Sequence, residues 1–161
     1  MTIKSGDKLP SITLKRLGDQ GMEDLNIADY VKNKKVVLFA VPGAFTPACS
    51  LKHLPGYIEH ANDFKAKGID EIICVAVNDP FVMKHWGEHA GATGRVTMIP
   101  DGNAEFTKAL GLDFDGSGAG LAIRSKRYSM LINKGIIERL DVEAAPSDVE
   151  LSGADACLAH L

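Results

Sequence analysis

VVLFAVPGAFTPAC, residues Val36–Cys49, is the part of the chain on which the fold prediction depends. Its first part, Val36–Ala40, is a continuous apolar run with the length and composition of a buried strand. Such a run suits a sheet that is covered on both faces. A helical pattern follows, for which Thr46 can serve as the cap and Pro47 as the first residue. The stretch therefore predicts a strand, a loop and then a cysteine in the first turn of a helix.

The predicted position of Cys49 suggests a reactive thiol. The first turn of a helix presents unpaired backbone N–H groups and the positive end of the helix dipole, and both favour a thiolate over a thiol. A free cysteine is also commonly a small hydrophobic residue in the core. From its position alone, both interpretations of Cys49 stay open.

The spacing Pro42-x-x-x-Thr46-x-x-Cys49 resembles the P-x-x-x-T-x-x-C signature of the peroxiredoxins. The wider string PGAFTPACS is similar to the type II subfamily, which includes the mammalian peroxiredoxin-five and plant cytosolic proteins. The resemblance extends from about Gly6 to Leu161. Three further segments carry it, namely Val77–Met83, Leu110–Leu112 and Arg124–Tyr128.

The resemblance implies a thiol peroxidase that reduces hydrogen peroxide and alkyl hydroperoxides, with no metal, haem or flavin cofactor. In that reaction a thiolate attacks one peroxide oxygen and becomes a sulfenic acid, while the other oxygen leaves as hydroxide or alkoxide. The resemblance makes Cys49 the nucleophile and lets the Thr46 hydroxyl hydrogen-bond the thiolate or the peroxide. Pro42 is expected to shield the site. Backbone N–H groups from Gly43 to Cys49 are expected to bind the peroxide oxygens.

A permanent positive charge near the sulfur is also implied, and arginine supplies it with a fork of donors. Type II peroxiredoxins carry this arginine on a later strand, and the matching position is Arg127. Arg124 is the competing choice, but three residues away in one strand it should face the opposite side. We therefore predict that Arg127, with Thr46 and Cys49, binds the peroxide.

The other two thiols and the histidine nearest Cys49 are expected to be structural. Cys74 lies inside an apolar strand run, which predicts a core residue, although plant relatives carry a cysteine there. Cys157 lies in the last predicted helix, whereas the resolving cysteine of the mammalian type falls near Leu151–Ser152. The sequence therefore predicts a cycle with one cysteine, recycled by glutaredoxin with glutathione or by thioredoxin. His53, on the same helical face as Cys49, could support the site, but a half-buried histidine with its hydrogen bonds satisfied is the favoured interpretation.

Two short motifs resemble metal sites. The segment His85–His89 (HWGEH) fits the H-x-x-E-H pattern of a zinc peptidase, which would also need a third ligand and a large cleft. Asp113 and Asp115 resemble the start of a calcium loop, but its twelfth position is Arg124 instead of a bidentate glutamate. We therefore predict no metal site. Two alternatives to the peroxidase stay open: a peroxide sensor that uses the same cysteine sulfenate, and a zinc hydrolase.

Composition bounds the class of protein. A length of 161 residues fits one domain, residues 1–161, and 45% hydrophobic with 24% charged residues is ordinary for a globular protein. The net charge of −3 argues against nucleic acid or an acidic membrane as a partner. The N-terminus lacks a signal-peptide core and no apolar run approaches the roughly 20 residues of a membrane span. Three widely spaced cysteines form no disulfide framework. These features predict a cytoplasmic protein.

Strands alternate with helices along the chain and an antiparallel hairpin follows, which predicts an α/β fold with a mixed sheet. The resemblance implies a thioredoxin-like fold, with helices flanking the mixed central sheet, and a homodimer formed through the face with the active-site loop. The predicted strands are Ser11–Leu14, Met22–Leu25, Val36–Ala40, Glu71–Val77, Val96–Ile99, Ile123–Asn133 and Gly135–Val142.

The predicted helices include one long segment, Pro47–Lys67, with a kink at Pro55–Gly56. Asp113–Gly120 is predicted to be a glycine-rich loop, and Ser152 to cap the last helix, Ala154–His160. The remaining predicted helices are Ile27–Val31, Phe81–His89 and Ala104–Leu110.

Overall fold

The structure is a computed structural model that describes residues 2–161. Its strands are β1 (Thr13–Gly18), β2 (Gly21–Asn26), β3 (Lys35–Val41), β4 (Glu71–Ala76), β5 (Thr97–Pro100), β6 (Asp113–Asp115), β7 (Ile123–Ser125), β8 (Tyr128–Asn133) and β9 (Ile136–Val142). Its α-helices are α1 (Ile27–Val31), α2 (Leu54–Glu59), α3 (Ala61–Ala66), α4 (Pro80–Ala90), α5 (Glu105–Leu110) and α6 (Ala154–Ala159). A π-helical turn, Cys49–His53, precedes α2, and a short 3-10 turn covers Ser117–Ala119.

Five strands form one mixed sheet in the order β5-β4-β3-β8-β9. β3 and β4 are parallel, as are β4 and β5, whereas β8 runs antiparallel to both β3 and β9. The predicted α/β fold with a mixed central sheet is confirmed. β1 pairs with β2 and β6 pairs with β7 in two small antiparallel sheets.

The central strand β3 is buried on both faces, as its continuous apolar run predicts. Val37, Phe39 and Val41 pack into one hydrophobic cluster, which also contains Cys49, residues of α2 to α4, and α6. The alternate residues, Val36 and Leu38 among them, pack into a second cluster with α1, α5 and the N-terminal hairpin. This alternation follows from the two-residue period of a strand, and it assigns the cysteine loop to the first cluster.

The long helical segment predicted from Pro47 to Lys67 differs from the observed one in two ways. Pro47 and Ala48 begin the helix as predicted, but the π-helical turn follows them, and the break between α2 and α3 falls at His60. Pro55, where the kink is predicted, is the second residue of α2. In the described residues 2–161, no helix has the length and apolar character needed to cross a membrane.

The segment predicted as one strand, Ile123–Asn133, is divided into β7 and β8, and Lys126 and Arg127 lie between them. The predicted glycine-rich loop is also partly regular, because β6 pairs with β7. The hairpin between β8 and β9 is confirmed, and Lys134 and Gly135 at its tip both have positive φ. Such a two-residue turn matches the twist of the paired strands. The division of the predicted strand thus puts Arg127 outside both of the elements that flank it.

Candidate active site

The loop that follows β3 is held by two short hydrogen bonds. The Thr46 hydroxyl donates to the Gly43 carbonyl at 2.7 Å, and the Ala44 N–H donates to Asn78 Oδ1 at 2.9 Å. Phe45 between them has φ 63°, a left-handed conformation that is uncommon for a bulky residue. The prediction that Thr46 caps the helix is wrong, because its hydroxyl bonds back to the loop. The cysteine loop is therefore closed on itself before the helix begins.

Cys49 is the first residue of the π-helical turn and is fully buried. The turn leads directly into α2, and the Leu54 N–H donates to the Cys49 carbonyl to close it. A π-helical turn inserts an extra residue into a helix, and such turns occur frequently at functional sites. The predicted strand, loop and cysteine in a first helical turn are all present, although the turn is wider than an α-helical one.

Arg127 directs all of its guanidinium nitrogens at named partners. Its Nη2 donates to Cys49 Sγ at 2.9 Å, its Nη1 to His53 Nδ1 at 2.8 Å, and its Nε to the Pro146 carbonyl at 2.9 Å. The side chain is buried. An arginine keeps its charge under burial, so the sulfur faces a permanent cation through a directed hydrogen bond.

His53 is fully buried, so the prediction of a half-buried histidine is wrong. Its Nε2 lies 2.9 Å from the Ser152 carbonyl, which can only accept, so Nε2 carries the proton. Nδ1 then has a free lone pair that accepts from Arg127. Burial, and after it the charge of Arg127, lower the pKa of His53 to about 3. A neutral His53 thus serves as an acceptor that orients the Arg127 fork.

Arg124 also reaches the cysteine loop, but not the sulfur. Its Nη1 donates to the Pro42 carbonyl at 3.2 Å, and a Cβ placed on Gly43 would lie 2.7 Å from the same nitrogen. The argument that Arg124 and Arg127 face opposite sides of one strand is wrong, because the chain leaves β7 at Ser125. Arg127 contacts Cys49, as predicted, while Arg124 braces the loop.

Sequence reasoning missed a buried group behind the histidine. The Ser152 carbonyl accepts from His53 and also from the Tyr57 hydroxyl at 2.7 Å. The Glu143 carboxylate accepts from the Ser152 N–H at 2.6 Å, the Ser152 hydroxyl at 2.5 Å and the Leu151 N–H at 3.1 Å. The prediction that Ser152 caps α6 is therefore wrong, because Gly153 holds the cap position. A single glutamate near the end of a predicted strand gave no signal for this role.

Cys74 and Cys157 are both buried and free. Burial, and after it the neighbouring Cys49, raise the pKa of the Cys74 thiol well above its ordinary value. Burial also raises the pKa of Cys157 to about 11. The prediction of a core position for Cys74 in β4 is confirmed. Both residues are therefore neutral thiols at physiological pH.

The two metal-like motifs have other contacts. His85 Nδ1 lies 3.7 Å from Glu88, and the His89 ring packs against Phe45, all on the outer side of α4. Asp115 accepts a hydrogen bond from the Ser117 N–H. Within residues 2–161, no group of three or more histidine, cysteine, aspartate or glutamate side chains is arranged to hold a metal ion.

An acid-stability measurement checks the neutral state of His53. Its pKa in the folded chain, about 3, is below the ordinary value of 6.5, so the unfolded chain binds more protons between these pH values. The corresponding stability is fully present above pH 6.5 and is lost as the pH falls towards 3. Glutamine cannot titrate, so we expect His53→Gln to lack this pH-dependent contribution to the free energy of unfolding, which is worth roughly 2–5 kcal/mol. Denaturant unfolding from pH 7 to 4 would measure it, and parallel curves for the two proteins would contradict a buried neutral histidine.

The fold and the site together define a class: thioredoxin-like proteins with a buried cysteine at a helix start, facing an arginine. A family model described as Redoxin matches residues 4–158. Peroxiredoxin-2B from Arabidopsis thaliana is 41% identical over 160 residues, covering 99% of this chain and 98% of that protein. Peroxiredoxin-2E-2, chloroplastic, from Oryza sativa subsp. japonica is 48% identical over 147 residues, which are 88% of this chain and 65% of that longer protein.

A structural relative agrees with these matches. The crystal structure of reduced Prx3 from Vibrio vulnificus in complex with hydrogen peroxide superimposes with a TM-score of 0.94 at 50% identity, covering 99% of each chain. This chain therefore belongs to the Redoxin family, and within it to the type II peroxiredoxins. It is a thiol-dependent peroxidase, which acts on peroxide with a thiol reductant.

Proposed function

We propose that peroxide is reduced at Cys49, with Arg127, Thr46, Pro42 and Gly43 forming the site around it. The observation that carries this proposal is the 2.9 Å contact from Arg127 Nη2 to the buried Cys49 sulfur. No other cysteine combines a helix-start position with a contact to a cation within residues 2–161. The test is peroxide consumption by the purified protein, run separately with thioredoxin and with glutaredoxin plus glutathione.

The proposed step is an in-line displacement. The Cys49 thiolate attacks the nearer peroxide oxygen, an S–O bond forms as the O–O bond breaks, and the leaving oxygen takes a proton to become water or an alcohol. As negative charge moves from the sulfur to the peroxide oxygens, Arg127 Nη2 can donate to those oxygens and stabilise the charge. The Thr46 hydroxyl donates to Gly43, so its oxygen can accept the peroxide hydrogen. Pro42 covers the loop, and N–H groups from Gly43 onward supply further donors.

We propose hydrogen peroxide and alkyl hydroperoxides as the substrates. Support for hydrogen peroxide comes from the Vibrio vulnificus relative, whose structure was solved in complex with it. An alkyl hydroperoxide shares the O–O bond and the terminal O–H group on which the same contacts would act. A sensor that used the same sulfenate would react once with peroxide, whereas the proposed enzyme turns over when a reductant is present.

The proposed cycle uses one cysteine. A cysteine that resolves the sulfenate within the chain must reach Cys49, and Cys74 lies in the central sheet, paired through β4. Cys157 is buried on α6, with most of its surface covered. We propose that glutathione captures the sulfenate, losing water, and that glutaredoxin or thioredoxin releases the resulting mixed disulfide.

Mass spectrometry checks this cycle. After one equivalent of peroxide with glutathione present, we expect the main product to be a mixed disulfide at Cys49. Without added thiol, we expect sulfenic acid, which passes to sulfinic acid in excess peroxide. Cys157→Ser should give the same products and serves as the matched control. A rapidly formed Cys49–Cys74 or Cys49–Cys157 disulfide as the dominant species would contradict the prediction.

We propose a homodimer formed through the face that carries the cysteine loop. Three large apolar side chains are exposed in the loop, in the π-helical turn after it and at the start of α4: Phe45 is 52% exposed, Leu51 is 76% and Phe81 is 55%. An exposed apolar group of this kind is typical of a protein interface. Sedimentation velocity should give a dimer for the wild type and a shift towards monomer for Leu51→Glu. Exposed Met22, mutated to glutamate, is the control, and equal dissociation of both variants would contradict the proposed face.

We also propose that residues 1–161 act as one domain and that the protein works in the cytoplasm. Buried free thiols suit a reducing compartment, and the net charge of −3 gives no reason to expect nucleic acid or an acidic membrane as a partner. Fractionation of cells that produce the tagged protein tests the location. Recovery in a membrane or organelle fraction would overturn it.

A further inference from the structure

We infer that Glu143 is a positioning residue that holds Arg127 in its reactive orientation through the segment 143–152. This inference rests on the proposed role of Cys49 and Arg127. The hydrogen bonds of the Glu143 side chain go to Ser152 and Leu151, so it acts on Arg127 through other groups. The chain of contacts runs from Glu143 to Ser152, from Ser152 to His53, and from His53 to Arg127.

The segment 143–152 supplies the acceptors that orient the guanidinium. Arg127 Nε donates to the Pro146 carbonyl at 2.9 Å, and Arg127 Nη1 donates to His53, whose Nε2 donates to the Ser152 carbonyl at 2.9 Å. Only Nη2, which contacts Cys49, is directed without help from this segment. The direction of the Nη2–H bond is therefore set by where the two carbonyls lie.

The Ser152 carbonyl has no freedom to compensate for a shift. It accepts from both the His53 ring and the Tyr57 hydroxyl, and these use its two lone pairs. All three groups are fully buried, so no solvent can replace a lost partner. A small displacement of Ser152 would leave a buried donor unpaired or move His53, and Arg127 with it.

Glu143 is the residue that fixes Ser152. The segment between them contains only turns and bends, so no helix or strand holds it. Its C-terminal end is held by the Glu143 carboxylate, which accepts from the Ser152 N–H, the Ser152 hydroxyl and the Leu151 N–H. The Glu143 N–H donates to the Arg127 carbonyl at 2.9 Å, so the anchor is attached to the backbone of the residue that it positions.

The three hydrogen bonds at the Glu143 side chain require a carboxylate. All three of its partners are donors, and an ionised carboxylate is the side chain that accepts at both oxygens and donates nothing. Within residues 2–161, Glu143 has no salt-bridge partner, so its charge is met by these donors and not by a lysine or arginine. A glutamine would present an N–H₂ group to an N–H or a hydroxyl in a buried place. Glu143→Gln therefore disturbs these hydrogen bonds while keeping the shape of the side chain.

The first test is the rate of the peroxide reaction. Trp86 is the only tryptophan, and its Nε1 donates to Ser50, the neighbour of Cys49, so its fluorescence should report oxidation. In rapid mixing with hydrogen peroxide, we expect Glu143→Gln to lower the second-order rate constant 10-fold or more. Glu138→Gln changes an exposed glutamate of β9 and should react as the wild type does. Circular dichroism establishes that each variant is folded under the conditions used.

A double-mutant cycle separates positioning from a general loss of stability. Arg127→Lys removes the fork that Glu143 is inferred to orient, so Glu143→Gln should slow that variant less than 2-fold. Thiolate absorbance gives a second readout, because buried Cys74 and Cys157 stay protonated at neutral pH. We expect this absorbance to fall in Glu143→Gln and to be kept in Glu138→Gln. Equal slowing of both backgrounds, or unchanged absorbance, would overturn the inference.

A milder variant keeps the test decisive if Glu143→Gln does not fold. Ser152→Ala removes one of the three hydrogen bonds of the carboxylate and keeps the backbone N–H and carbonyl. We expect it to react about 3-fold more slowly than the wild type and to have no effect beside Arg127→Lys. A wild-type rate in both Glu143→Gln and Ser152→Ala would overturn this inference and leave the proposed function intact. If the wild type itself did not reduce peroxide, the proposed function would fail instead.

Discussion

Replacing Cys49 by serine is expected to abolish peroxide reduction. A serine hydroxyl stays protonated at neutral pH and cannot take the place of a thiolate that attacks an O–O bond. The Arg127 contact would remain, but it would have no ionised sulfur to orient. Turnover should fall to the uncatalysed background, measured by peroxide consumption with each reducing system.

The other two cysteines provide matched controls for this variant. Cys157→Ser and Cys74→Ser should keep the chemical step, because burial keeps both of these thiols protonated. Each replaces a buried sulfur, so these variants also control for the loss of a core thiol. Peroxidase activity that survives in Cys49→Ser would end the assignment of the nucleophile.

Replacing Arg127 by lysine is expected to slow the reaction with peroxide about 10- to 1000-fold, as when a positioned electrostatic donor is removed. Lysine keeps the positive charge but has one nitrogen where arginine has three. It cannot donate at the same time to Cys49, His53 and the Pro146 carbonyl along the directions that the arginine uses. The second-order rate constant from rapid mixing measures the loss.

Arg124→Lys is the control for the arginine. Arg124 donates to the carbonyls of Leu121 and Pro42, so its replacement should loosen the loop without removing the partner of the sulfur. We expect a smaller loss of rate than for Arg127→Lys. A rate within error of the wild type for Arg127→Lys, with a large loss for Arg124→Lys, would transfer the role to Arg124.

Local rules were sufficient for the framework of the site. The apolar run of β3, the loop and the helix start could be predicted because each depends on neighbours in the sequence. The choice of Arg127 over Arg124 came from the family resemblance, and the strand argument offered for it was wrong. The predicted single strand is divided into β7 and β8. The division depends on the pairing of β7 with β6, which no local sequence pattern encodes.

The parts that could not be predicted depend on contacts between distant segments. His53 looked like a half-buried histidine because its partners, Arg127 and Ser152, lie far away in the sequence. Serine is a residue type that commonly caps helices, but the Ser152 hydroxyl donates to Glu143 instead. A buried carboxylate without donors would cost more than an uncapped short helix such as α6. The π-helical turn at Cys49 also has no signature in the residue types that form it.

The residues of the site come from distant parts of the sequence, and this has a consequence for protein synthesis. Arg127 follows Cys49 by 78 residues and Ser152 follows His53 by 99 residues, so Cys49 and His53 leave the ribosome long before these partners. A nascent chain therefore carries the cysteine without the cation and the carbonyl that organise it. Arg127 can donate to the sulfur only when the C-terminal part of the chain has folded around it.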